Sequence, residues 1–132
     1  MIKETIKYVD YNGEQREEDF YFNLSRAEII SMDYAVEGGL REMIEKIVKE
    51  KDTVKIYKMF TDIIYKAYGE KSPDGKRFVK SKEISDSFIQ TEAYSELIMK
   101  MISEPDYAAK FIEGVISVNA STGAQKLAVA TV

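Results

Sequence analysis

A basic stretch near the middle of the chain combines the residue types that bind phosphate. It reads "YGEKSPDGKRFVKS" from Tyr68 to Ser81, and residues 70–82 carry five bases against two acids, whereas the whole chain has a net charge of −4. A nucleotide-binding P-loop needs G-x-x-x-x-G-K-[ST] between a strand and a helix. Here Arg77 follows Gly75-Lys76 in place of serine or threonine, and the preceding segment is predicted to be helical. Nucleotide binding is therefore disfavoured.

The same segment contains "SPDG", which predicts a tight turn because Pro73 presets φ and Asp74-Gly75 complete the bend. Two interpretations of the segment stay open: a solvated connection between two helices, and a corner that docks a protein partner. For docking, the candidates are nearby bases and aromatic residues, with burial in the core as the alternative for each ring. These candidates are Tyr57, Tyr65, Tyr68, Lys71, Lys76, Arg77, Phe78, Phe88 and Tyr94.

Carboxylates cluster in two other segments, but neither cluster predicts catalysis. The residues are Glu17, Glu18, Asp19, Glu42 and Glu45. They fall on predicted polar faces, where charge runs usually face water, and acid–base pairs need a cleft that separates their pKa values. The chain has no cysteine and no histidine, which removes the usual metal ligands and the commonest general base. We expect no catalytic, metal or cofactor site, and therefore no enzyme.

Composition and length predict one soluble domain. The chain has 132 residues, 45% hydrophobic and 32% charged, which is enough to bury a core without disulfides. The N-terminus is charged, so we expect no signal peptide. The sequence contains no run of about 18 apolar residues, so we expect no membrane span. A net charge of −4 argues against a general nucleic-acid binder. We expect a cytoplasmic protein.

The first two dozen residues predict a β-hairpin that turns at Asn12-Gly13. A two-residue loop would place the apolar residues of the two strands on opposite faces of the ribbon. A three-residue loop, Tyr11-Asn12-Gly13 with glycine in the left-handed conformation, places Ile6 on the same face as Phe20 and Phe22. We prefer the three-residue loop.

Helical periodicity follows from Ser25 onward, so the predicted fold is mainly α: an N-terminal β-hairpin packed on a bundle of five to six short helices. The sequence "SRAE" is a capping box that opens the first helix, which runs to about Val36. A second helix has an apolar stripe from Leu40 to Val48. A third follows Asp52, has a stripe reaching Tyr68, and ends at Gly69. Further helices are predicted over residues 82–89, after Thr91, and from Pro105.

Residues 117–132 differ in composition from the rest, with one charge and no aromatic side chain. They show no apolar stripe of useful length. We predict a single domain over residues 1–116 followed by a flexible tail.

Several separated motifs resemble one family in order along the chain. These are "FNLSRAEI" (residues 22–29) after the hairpin, "AYGEKSPDGKRFVKS" (67–81), "FIQTEAYSELIMKM" (88–101) and "AAKFIEGVI" (108–116). Together they are similar to the tail assembly chaperones of long-tailed phages and prophages of Gram-positive bacteria. The resemblance covers residues 1–116. It departs at Ser117, where a proline and an early stop are expected, so the origin of the tail stays open.

The resemblance implies a small, largely helical protein without catalytic activity. Its expected partners are the tape measure protein, which it keeps soluble, and the tail tube protein, whose polymerisation it assists; self-association stays open. Such chaperones act in the host cytoplasm and are commonly absent from the finished virion. Many are also made in a longer form by ribosomal frameshifting. The alternative is a structural tail or neck component that is retained in the virion.

Overall fold

The computed structural model describes residues 1–116. Within them the chain forms β1 (Ile2–Val9), β2 (Gln15–Phe22), α1 (Arg26–Ala35), α2 (Leu40–Glu50), α3 (Thr53–Ala67), β3 (Tyr68–Lys71), β4 (Phe78–Val79), α4 (Lys82–Ile89) and α5 (Glu92–Ser103). A further helix, α6, occupies residues 105–116. The fold is mainly helical with an N-terminal antiparallel hairpin, as the sequence predicts. The tail prediction concerns residues 117–132, which lie outside the described residues.

The hairpin has the predicted three-residue loop. Ile2 pairs with Phe22 and Val9 with Gln15, and the Asp10 N–H donates to the Glu14 carbonyl at 2.9 Å, which leaves residues 11–13 as the loop. Gly13 has φ +81°, a left-handed conformation that glycine adopts without steric cost. The predicted register is therefore confirmed.

This register sets which face of the ribbon meets the helices. Ile6, Phe20 and Phe22 lie on one face and contribute to the core, where Phe22 is fully buried. The opposite face carries polar pairs such as Thr5, whose hydroxyl donates to Asp19 at 2.6 Å. Helix α5 packs against β1, and Gly114 of α6 lies so close to the Ile2 side chain that an added Cβ would clash with it. The ribbon thus covers one side of the helical bundle.

The first turn of α1 contains the predicted capping box. The Glu28 N–H donates to the Ser25 hydroxyl, and the Ser25 N–H donates to the Glu28 carboxylate at 2.9 Å. Side chains also cap the start of three later helices: Asp52 caps α3, Ser81 caps α4 and Thr91 caps α5. These caps satisfy backbone donors that a helix leaves unpaired at its N-terminus.

The basic segment connects α3 to α4 through a β-hairpin, an element that the sequence did not predict, and its exposed turn leaves both interpretations open. Helix α3 ends at Ala67, and the chain continues as β3, which pairs antiparallel with β2. Strand β4 then pairs with β3, so the sheet has four strands in the order β1-β2-β3-β4. The predicted stripe of the third helix is also too long by one residue, because Tyr68 belongs to β3. The free edge of β2 explains this, since it offers backbone partners to the residues that leave the helix.

Candidate functional site

The nine predicted partner-binding residues do not form one surface. The structure divides them into an aromatic cluster in the core, a tyrosine bound to α4, an exposed tyrosine on α3, and the β3–β4 hairpin with its tight turn.

Three of the nine join the aromatic core around Phe88. The ring of Phe88 is 2% exposed and stacks on Tyr68 with centroids 4.2 Å apart and planes 10° apart. Tyr94 meets Phe88 edge-on at 5.7 Å, and Phe22 does so at 5.6 Å. Such aromatic pairs add about 0.5–1.5 kcal/mol beyond area burial. Phe88 has almost no surface for a partner, so its role here is packing, whereas Tyr68 and Tyr94 keep part of their rings exposed.

Tyr65 does not keep a free hydroxyl. Its hydroxyl donates to the Asp86 carboxylate at 2.6 Å, and Lys82 donates to the same carboxylate at 2.5 Å. These bonds, first from Lys82 and then from Tyr65, lower the pKa of Asp86, and the Asp86 bond raises the pKa of Tyr65. The Ser85 hydroxyl donates to the Tyr65 carbonyl at 2.9 Å. Tyr65 therefore joins α3 to α4.

Tyr57 is the most exposed aromatic residue among the candidates, at 47%. It lies on α3, and the pKa of Tyr94 on α5 is raised by burial and then by the charge of Tyr57. Tyr57 on α3 is exposed, and Tyr94 on α5 is partly exposed. This part of the predicted docking surface is accessible.

The turn between β3 and β4 is held by hydrogen bonds around Ser72. The Ser72 N–H donates to the Arg77 carbonyl at 2.8 Å, and the Ser72 hydroxyl accepts from the Arg77 N–H at 3.0 Å. The same hydroxyl donates to Asp74, which also accepts from the Lys76 N–H, and these bonds lower the pKa of Asp74. Gly75 has φ +74°. The predicted tight turn is confirmed.

Close packing at Gly69 holds the hairpin to the sheet. A Cβ added there would lie 2.6 Å from the Phe78 ring and 2.9 Å from the Val79 carbonyl oxygen. Phe78 is half-buried against this glycine, outside the aromatic core described above. It therefore packs the hairpin onto the sheet while leaving part of its ring accessible.

The five bases of the segment have different roles. Lys80 donates to both Glu28 carboxylate oxygens at 2.8 and 2.9 Å and to the Asn23 carbonyl at 2.5 Å, and Lys82 pairs with Asp86. The Lys71 ammonium lies 4.4 Å from the centre of the Tyr21 ring. The charged groups of Lys76 and Arg77 make no ion pair within residues 1–116. These two bases are exposed, so they are accessible to an acidic partner.

The acidic residues of the N-terminal β1–β2 hairpin have partners within that hairpin. Glu17 lies 3.7 Å from the Lys7 ammonium, and Glu18 accepts a hydrogen bond from the Tyr8 hydroxyl. This bond, together with burial, raises the pKa of Tyr8 to about 12. Among the residues the structure describes, no group of three or more acids forms a metal site, and no helix is long and apolar enough to cross a membrane.

Sequence reasoning missed a second surface, an open groove where α1, α2 and α3 meet. Its volume is about 190 Å³, and apolar side chains of all three helices line it beside a basic rim on α3. The sequence signal was the apolar stripe of α2, which predicts an inward-facing helix surface. Only its first residue, Leu40, is buried, whereas Met43, Ile44 and Ile47 are half-buried and Val48 is exposed.

The fold defines a small, mainly helical protein that exposes apolar and basic surfaces. The chain matches the family described as phage tail assembly chaperone over residues 1–126, and it belongs to that family. The match includes residues 117–126, which the resemblance was not expected to cover. No curated protein and no solved structure matches the chain.

Proposed function

We propose that this protein binds the tape measure protein of a long-tailed phage, keeps it soluble, and assists polymerisation of the tail tube around it. The observation that carries the proposal is family membership over residues 1–126. The protein acts in the host cytoplasm by binding, without catalysis, and leaves before the virion is complete.

The accessible surfaces support this proposal. A chaperone for an aggregation-prone partner needs apolar surface that covers the partner and enough net charge to stay dissolved. The chain has a net charge of −4, and exposed apolar side chains include Tyr57 at 47%, Met99 at 59% and Ile102 at 59%. Membership of the family also suggests that the partners are phage tail proteins. The tape measure protein and the tail tube protein are therefore the first partners to test.

Part of the predicted docking corner is kept within this proposal. We propose that Lys76 and Arg77 attract acidic groups of the tape measure protein, with Tyr57 and Tyr94 supplying apolar contact at the adjoining faces of α3 and α5. Lys71 and Phe78 belong to the same β3–β4 hairpin as Lys76 and Arg77. Rim charges of this kind act mainly on association rate and salt dependence.

The direct test is co-expression with the tape measure protein encoded in the same phage genome. Wild-type protein is expected to raise the soluble yield of the tape measure protein and to co-purify with it. The charge-reversed variant Lys76→Glu/Arg77→Glu is expected to co-purify less at low salt. Its matched control is Lys46→Glu/Lys49→Glu, the same charge change on exposed residues of α2.

Two results would contradict parts of the proposal. If the wild-type protein neither raises the soluble yield of the tape measure protein nor co-purifies with it, the tape measure protein is not its partner. If the hairpin variant and its control both co-purify undiminished at low and moderate salt, the hairpin is not a docking surface. Mass spectrometry of purified virions addresses the alternative, because a structural tail or neck component would be present there in stoichiometric amounts.

A further inference from the structure

The groove between the first three helices has a floor of deep and shallow apolar side chains. Leu40, Met59 and Ile63 are 3%, 6% and 3% exposed and form the deep part, while Met32, Met43 and Ile47 are half-buried along it. Three of the six methionines of the chain therefore line one groove. Methionine is flexible and polarisable, and it is common on surfaces that adapt to a partner.

The size of the groove favours side chains of a macromolecule over a small ligand. Sites for small molecules usually enclose about 300–1,000 Å³, whereas this groove offers about 190 Å³ and is open to solvent. Helices form its lining, so no strand edge is available there for an added β-strand. A helix laid into an apolar groove is the peptide-binding mode that fits such a surface.

The rim of the groove on α3 is basic. Lys55, Lys58, Asp62 and Lys66 lie at spacings of three and four residues, which places them on one face of the helix. Lys55 pairs with Glu50 at 3.4 Å, but Lys58 and Lys66 make no ion pair within the described residues. The four rim residues carry a net charge of +2, or +1 when Glu50 is counted with Lys55, beside apolar surface in a chain of net charge −4.

The basic rim also gives the length of the binding surface. At about 1.5 Å per residue, the eleven steps from Lys55 to Lys66 span roughly 16 Å, or three helical turns. A partner helix of three to four turns would present apolar side chains at i, i+3, i+4 and i+7 over this length.

We propose that the groove between α1, α2 and α3 binds an amphipathic helix with acidic flanks, supplied by the protein that this chaperone keeps soluble. Apolar side chains of that helix enter the methionine-lined floor, and its carboxylates face Lys58 and Lys66. The source of the helix rests on the proposed function, whereas its chemical class follows from the apolar floor and the basic rim.

Two synthetic helical peptides separate the chemistry of the groove from the identity of the partner. Both carry the same leucine stripe, and the flanking positions are glutamate in one and lysine in the other. Fluorescence anisotropy is expected to show about tenfold tighter binding of the glutamate peptide, with the advantage falling as salt rises. Lys58→Glu/Lys66→Glu is expected to abolish or invert the preference, while Lys3→Glu/Lys110→Glu, the same charge change outside the groove, keeps it.

A second pair of variants tests the apolar floor. Met43→Glu is expected to weaken binding of the glutamate peptide by at least about tenfold, because it places a negative charge in the groove that repels the peptide. Val48→Glu is the control on the same helix, since Val48 is 49% exposed and does not line the groove. The milder Ile47→Ala is expected to weaken binding severalfold if Met43→Glu fails to fold, as judged by circular dichroism.

The outcomes distinguish this inference from the proposed function. Equal binding of the two peptides, or no effect of either groove variant, overturns the groove as a site for acidic helices. If groove variants still co-purify fully with the tape measure protein, the groove is not where that partner binds, although the chaperone function stands. If the peptides bind as expected but the tape measure protein does not, the proposed partner is wrong. Concentration-dependent dimers that Lys58→Glu/Lys66→Glu abolishes would make the occupant a second copy and overturn the proposal.

Discussion

Replacing Lys80 with methionine tests whether this lysine fixes the basic hairpin to the helical bundle. The Lys80 side chain is 20% exposed, and it joins β4 to the first turn of α1 through the Glu28 carboxylate and to the end of β2 through the Asn23 carbonyl. Methionine keeps most of the apolar stem, so Lys80→Met removes mainly the charge and its hydrogen bonds.

The expected loss of stability follows from those contacts. A hydrogen bond from a charged donor contributes about 1.5–3 kcal/mol, and an exposed ion pair about 0.2–1 kcal/mol. Because 40% of the Glu28 side chain is exposed, solvent screens the ion pair and the lower values apply. We expect Lys80→Met to lower the free energy of unfolding by about 2 kcal/mol, which moves the urea midpoint by about 1 M.

The pH dependence gives a second readout. Burial opposes ionisation of Glu28, but hydrogen bonds from Lys80 and from the Ser25 N–H outweigh it and lower the pKa below its ordinary value of 4.5. A carboxylate whose pKa is lowered by folding stabilises the protein above its unfolded pKa, and this contribution is lost as the pH falls through the folded pKa. The difference in free energy of unfolding between wild type and Lys80→Met should therefore become smaller as the pH is lowered from 7 to 3.

Urea unfolding followed by circular dichroism at both pH values measures these effects. Lys76→Met is the matched control, since Lys76 is an exposed lysine of the same hairpin without an ion pair within residues 1–116. It is expected to change stability by less than about 0.5 kcal/mol. Equal stability of the two variants at pH 7 would refute the anchoring role of Lys80.

Three further predictions concern other contacts and the end of the chain. Gly69→Ala should destabilise the protein by about 1–3 kcal/mol in urea unfolding, because the added methyl meets the Val79 carbonyl oxygen; an unchanged midpoint would contradict the tight packing. Tyr107→Phe should raise stability by about 1 kcal/mol, because its buried hydroxyl meets no partner at hydrogen-bond geometry within residues 1–116, although the Glu4 carboxylate adds to burial in raising the pKa of Tyr107; a loss of stability would show that Glu4 accepts a hydrogen bond from this hydroxyl. Truncation after Ile116 should leave the melting temperature unchanged, because the composition of residues 117–132 offers little apolar area to offset ordering of about 1 kcal/mol per residue; a large fall would mean that this segment docks.

Local chemistry determined the elements that the sequence predicts well. The face shared by Ile6 and Phe22 requires an odd number of loop residues, because side chains alternate with a period of two. The capping box from Ser25 to Glu28 is likewise complete within four residues. Such features depend on neighbours in the chain, so they can be read before any tertiary contact is known.

Only the tertiary structure decided the remaining features. Strands β3 and β4 have four and two residues, too few to show alternation, and they form because β2 has a free edge for pairing. The charge of Lys80 is indistinguishable from that of Lys76 in sequence, but folding brings Lys80 to Glu28, 52 residues away. Periodicity showed that Met43 and Ile47 share an apolar face, but it could not show whether another helix covers that face. The groove is open because α1 and α3 cover only part of α2, and this depends on packing between helices.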